Sequence, residues 1–320
     1  MNSVGIFIDD GRLRPIWRFL LSLLLLFAAF VLTGEMLRTI FLIAKVHPGI
    51  WVAAFWQSLL TFIAIIAAFK LMTAIFERRP LGSVGLAFYP RWWRELGRGL
   101  AVGAAMLFLA VVPEGVCGFA HFTFTPHPML LAASSTCMLF ALAATNEEAI
   151  FRGYPFQRLA ESITPLGAIA ATSALFGFAH LANPHRTWIS TLNTALVGIP
   201  FCIAYLRTRS LWMPIGMHFI WNFLLGFFLG LPVSGLTLPA SIFTAHVLGP
   251  MRLTGGDYGP EGGLLATGAI LLVTVYLSFT KSIYTSEEMK ALVLAPVTAR
   301  SPDPPITIFP APPEDEAKRD

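Results

Sequence analysis

Three short stretches carry residue types that could do chemistry. Thr145-Asn146-Glu147-Glu148-Ala149-Ile150-Phe151-Arg152 places two carboxylates and a guanidinium after an uncharged run from 129 to 144. Phe176 precedes His180 by four residues, and His218 precedes Asn222 by four. Residues four apart share a helix face, so Glu148 can pair with Arg152 while Glu147, turned about 100° away, stays free. A carboxylate can take a proton from water, imidazoles can hold that water or bind a metal, and an amide can donate to a developing oxyanion. These groups suit hydrolysis, with Glu147, His180, His218 and Asn222 as the working set and Glu148 and Arg152 in support.

The elements around them must be built for lipid. Of 320 residues 56% are hydrophobic and only 12% charged, and the mean hydropathy is +0.69. Soluble domains are roughly 45–50% apolar. The chain reads as an all-α, polytopic transmembrane bundle. Eight apolar runs are long enough to span, near 17–34, 50–70, 98–116, 129–150, 165–182, 188–206, 211–230 and 263–280. Arg12, Arg14 and Arg18 before the apolar stretch Leu20–Val31 resemble the start of a signal peptide. No small-x-small cleavage site follows, so that run is read as a retained helix.

Helix geometry brings the polar residues to one depth. A helix continuing from about Met129 to Glu161, with Pro155 at most a kink, and a return helix from Leu166 put Glu147 and His180 each 14 residues from the turn. At 1.5 Å per residue both lie roughly 21 Å from it. His218 and Asn222 follow Arg209 by nine and thirteen residues, also inside the membrane. A lone intramembrane His is commonly a packing group, but two of them level with a carboxylate point to function.

Arg and Lys sort by side if both termini are cytoplasmic. Arg12, Arg14, Arg18, Arg78, Arg79, Arg91, Arg94, Arg98, Arg158, Arg207, Arg209 and Lys281 fall inside, leaving Arg38, Lys45, Arg186 and Arg252 outside. Orientation thus explains the net charge of +4, and nothing supports a nucleic-acid partner. The basic, Trp-bearing stretch 77–94 suits either an interfacial segment or an ordinary loop. His47, His121, His127 and His246 fall in outer loops, and Asn183 and His185 at an outer cap. Cys117, Cys137 and Cys202 form neither a disulfide framework nor a metal-ligand spacing. The Gly- and Pro-rich outer loop 232–262 is expected to be irregular. The bundle is assigned to residues 1–284, and the Pro-rich segment 285–320 is expected to be a disordered cytoplasmic tail.

Glu147-Glu148 with Arg152, Phe176 with His180, and His218 with Asn222 resemble the motifs EExxxR, FxxxH and HxxxN of the CPBP family, the CAAX proteases and bacteriocin-processing enzymes also called Abi. Arg207-Thr208-Arg209-Ser210-Leu211-Trp212-Met213-Pro214 is also similar to family members, so the resemblance covers about residues 75–230. It implies an intramembrane endopeptidase in which Glu147 activates water, His180 holds or polarises it, and His218 and Asn222 stabilise the oxyanion. Glu148 and Arg152 match the supporting positions. Metal-free catalysis is favoured because HExxH is absent. A zinc ion held by His180, His218 and Glu147 stays open, although it would occupy the proposed base.

The expected partners are a peptide or protein substrate reaching the membrane and the lipid itself, with cleavage near the inner leaflet of a bacterial plasma membrane. Nothing identifies a prenylated substrate. Two other functions remain: a non-catalytic immunity or scaffolding protein, betrayed by decayed motifs, and a proton-coupled transporter, betrayed by inverted repeats. Neither sign is seen.

Overall fold

The computed structural model of the protein describes residues 4–9, 12–125 and 129–294. Every apolar run forms a helix. In chain order the helices of eight or more residues are α1 (Pro15–Ala44), α2 (Ile50–Met72), α3 (Trp92–Val116), α4 (Met129–Arg152), a short α5 (Tyr154–Ser162), α6 (Pro165–Ala179), α7 (Trp188–Thr208), α8 (Trp212–Asn222), α9 (Leu264–Phe279) and a short α10 (Glu287–Leu294). A π turn, Thr73–Glu77, extends α2, and another, Phe223–Phe228, extends α8. Four helices, α1, extended α2, α3 and α7, are long and apolar enough to cross a bilayer; α6, extended α8 and α9 are shorter apolar helices. Phe27, Leu32 and Ile43 on α1 are exposed, as lipid-facing side chains are in the absence of water contact. The protein is an all-α integral membrane bundle.

Helix crossings are built on small residues. A Cβ added to Gly99 of α3 would lie 2.1 Å from the Met213 carbonyl oxygen of α8, and one on Gly216 would lie 2.6 Å from that of Leu96. Only glycine lets these backbones touch, which is how helices gain packing energy where no hydrophobic drive exists between them.

Three expectations need correction. The long helix from 129 to 161 is broken at Gly153, whose ψ of −135° leaves the helical region. Pro155, which has no N–H to give, then sits in the first turn of α5. A Cβ at position 153 would meet the Ala149 carbonyl oxygen at 2.4 Å, so the break is tailored to glycine.

The segment 232–262, expected to be irregular, contains regular structure. Phe243–Val247 forms a strand, β2, antiparallel to β1 (Ala120–Phe124) in the connection between α3 and α4. His121 and His246 stand opposite each other in that ladder. The alternating burial along β2 is the half-buried pattern of a strand whose partner lies far upstream.

Residues 287–294 of the expected tail are helical, and Met289 is buried against Ala87 and Tyr89. The rest of that tail, 295–320, and His127 lie outside the described residues.

A buried ion cluster closes the Arg-rich end. Glu77 accepts from Arg18 Nη1 at 2.7 Å, Arg158 Nη1 at 2.7 Å and the Tyr154 hydroxyl at 2.8 Å, joining α1, the end of α2 and α5.

Candidate active site

The break at Gly153 fixes where α4 ends, and the last two turns before it carry Glu147, Glu148 and Arg152 into the bundle. Glu148 and Arg152 are fully buried, 0% exposed each. Arg152 Nη1 donates to Glu148 Oε1 at 3.2 Å. Its guanidinium carbon lies 4.6 Å from the Phe176 ring centre and 5.3 Å from that of Phe201, so two aromatic faces share in stabilising the charge.

His218, on α8, donates from Nδ1 to the same Glu148 oxygen at 2.8 Å and stacks on Phe201 at 5.4 Å. His180 is the residue at which α6 ends, just past Ala179, rather than part of its regular turns. Its Nδ1 lies 2.8 Å from the Phe176 carbonyl, which can only accept, so that nitrogen carries the proton. Both imidazoles therefore present Nε2 inward, and each Nε2 lies 3.8 Å from Glu147 Oε2. That gap is too long for a direct hydrogen bond and short enough for one water to bridge with bonds of about 2.8 Å.

Among the described residues Glu147 Oε2 has no hydrogen-bond partner, and it is buried, although the side chain is 32% exposed overall. This is an acceptor aimed into a gap. Asn222, one turn beyond His218, is buried and lines the same cavity, which has a volume of about 420 Å³. The structure thus gathers all six residues singled out in the sequence, four around the cavity and two behind it.

The two imidazoles and Glu147 are the groups a metal would draw on. Their 3.8 Å separations exceed the about 3.3 Å between donors of a tetrahedral zinc site with bonds near 2.0–2.1 Å. Among the described residues no three His, Cys, Asp or Glu side chains are arranged to hold a metal ion.

Sequence reasoning missed three contributors. Phe201 was hidden in an apolar span. The bond from His218 to Glu148 joins residues seventy apart, and spacing alone gave Glu148 only to Arg152. Glu261 lines the cavity from the connection between α8 and α9, where its carboxylate accepts from Trp221 Nε1 at 2.9 Å and from the Ser234 hydroxyl at 2.8 Å.

The cavity also has a direction. Its lining runs from Glu147 and His218 to Trp51 in the first turn of α2 and to Asn183, Ser234 and Glu261 in connections between helices, at the end opposite the Arg-rich loops. The pairing of β1 with β2 ties the connection between α3 and α4 to the one between α8 and α9 that carries Ser234 and Glu261.

Residues 129–224 match the family model described as Type II CAAX prenyl endopeptidase Rce1-like. Over that stretch the chain is similar to this family. The similarity covers under a third of the sequence and spans α4 through α8, including every residue of the Glu147 cluster. The helices α1 to α3, the connection between α8 and α9 that carries Glu261, and α9 lie outside it. No curated protein matches the sequence.

Proposed function

We propose that the protein is an intramembrane endopeptidase that hydrolyses a peptide bond with a water activated by Glu147. The observation that carries the reading is the unpartnered Glu147 Oε2 with two imidazole Nε2 atoms at equal 3.8 Å distances. A water in that gap gives its proton to Glu147 as its oxygen attacks the substrate carbonyl. His180, with Nδ1–H fixed on the Phe176 carbonyl, accepts from the water and orients it. The negative oxygen of the tetrahedral intermediate forms where the Asn222 amide and a protonated His218 can donate, the imidazolium being balanced by Glu148. Glu147 then returns the proton to the leaving nitrogen. Glu148 and Arg152 hold His218 in place and do not touch substrate.

The Rce1-like match supports a protease of the CAAX type. With the Arg-rich loops cytoplasmic, as the charge distribution argues, the cavity extends toward the opposite leaflet, so cleavage is placed there rather than at the inner leaflet that the sequence alone suggested. A bacterial plasma membrane with both termini inside is the matching location.

The test is cleavage of a quenched fluorescent peptide library by purified protein in detergent and in nanodiscs, wild type against Glu147→Gln, with and without a zinc chelator. The expected result is cleavage that persists with chelator and falls at least a thousandfold in the variant. Loss with chelator would replace the free carboxylate base by a metal on His180, His218 and Glu147. Undiminished cleavage by Glu147→Gln would overturn the assignment.

A further inference from the structure

Among the described residues the cavity is lined by two carboxylates, Glu147 and Glu261, and by no Lys or Arg. Its basic lining groups among the described residues are the imidazoles of His180 and His218, both turned toward Glu147. Charge on Glu261 is not neutralised from elsewhere: among the described residues it forms no ion pair, its partners being the indole N–H of Trp221 and the amide and hydroxyl of Ser234. Those neutral donors hold the carboxylate in one orientation and leave one lone pair of Oε1 unused. A fixed, uncompensated negative charge in a cavity with apolar walls lowers the energy of an incoming cation and raises that of an incoming anion.

From this we infer that Glu261 sets substrate specificity by receiving a basic side chain, Lys or Arg, of the peptide placed in the cavity. The inference rests on the endopeptidase reading for its substrate but not for its electrostatics. It also bears on the reaction type. A substrate ending in the cavity would bring its terminal carboxylate against Glu261, whereas one passing through with a basic residue there gains an ion pair. The favoured substrate is thus an internal peptide bond flanked by a basic residue. Glu261 lies outside the Rce1-like segment, so this selectivity belongs to the outer connection of this chain.

The experiment measures kcat/KM for quenched peptides identical except for one flanking position, scanned on both sides of the scissile bond and carrying Arg, norleucine or Glu. Wild type, Glu261→Gln and Glu261→Asp are compared in nanodiscs. At one position the wild type should prefer Arg over norleucine by about tenfold and discriminate further against Glu, as a charge-assisted hydrogen bond would. The Arg preference should shrink to about twofold in Glu261→Gln and largely persist in Glu261→Asp. Raising the salt concentration should compress it in the wild type, a readout that needs no variant to fold.

No preference in the wild type, or one unchanged in Glu261→Gln, overturns the inference and leaves the protease reading standing. If the wild type cleaves nothing, fluorescence anisotropy with the same peptides separates the two. Binding that favours Arg through Glu261 keeps this inference and removes the protease reading, and binding without that preference removes both.

Discussion

His218 Nδ1 and Arg152 Nη1 converge on a single oxygen of Glu148, at 2.8 Å and 3.2 Å. The carboxylate thereby balances a buried guanidinium and fixes the imidazole with Nε2 toward Glu147. Glu148→Gln should strand Arg152 as an unpaired buried charge, at a cost of about 3–5 kcal/mol. Arg152→Met should destabilise by a similar amount. The double variant Glu148→Gln with Arg152→Met removes both charges, and its thermal unfolding midpoint should recover most of the loss. Cleavage should not recover, because the amide no longer balances a protonated His218. Additive losses of stability in the double variant would mean the two charges are not coupled.

His180 offers the opposite profile. It closes α6 with a bond to a carbonyl of its own helix, so it ties no two elements together. Its Nε2 toward Glu147 is the feature with chemical content. His180→Ala is expected to lower kcat about 10²–10⁴-fold, the usual range for a lost acid–base or water-orienting group, with KM within a few-fold and little change in unfolding midpoint. A large loss of stability with kcat per folded molecule preserved would make His180 a packing residue.

The gathering of the six candidate residues was legible because the members of each motif lie four residues apart on one helix or at its end, where that spacing is itself geometry. Their convergence followed from depth along antiparallel helices, and it survived although α4 stops at Gly153, since the break lies beyond Glu147. What was not legible depended on long-range contact. Glu148 had a partner in spacing and a second only in space. Glu261 fell in a Gly- and Pro-rich stretch whose order comes from pairing with β1, and no local pattern in 232–262 announces that strand.

Glu77 was read as part of a basic loop and is the hub of the Arg-rich end. Its two oxygens take Arg18 from α1 and Arg158 from α5, all three side chains being about 10% exposed. Glu77→Gln should leave two buried guanidinium groups short of a counter-charge and destabilise the protein by about 3–5 kcal/mol. Turnover per folded molecule should change little, because none of Arg18, Glu77, Tyr154 and Arg158 lines the cavity. Thermal unfolding in detergent and active-site-normalised kcat would separate these effects, and an unchanged midpoint would remove Glu77 from the account of stability.

Side of the membrane can be read with a residue the protein already has. Cys117 closes α3 and is exposed, Cys137 is half-buried and Cys202 is buried. Cys117 belongs to the same connection as β1, which pairs with the segment leading to Glu261, so it reports the face toward which the cavity extends. If the Arg-rich loops are cytoplasmic, a membrane-impermeant maleimide added to intact spheroplasts should label the wild type and fail to label Cys117→Ser. A cysteine placed at Arg78, in a Cys117→Ser background, should react only after permeabilisation. The reverse pattern would put the cavity on the cytoplasmic side and return cleavage to the inner leaflet, with the chemistry at Glu147 unaltered. The geometry of the site is independent of which way the bundle is inserted, and only the identity of the accessible substrates depends on it.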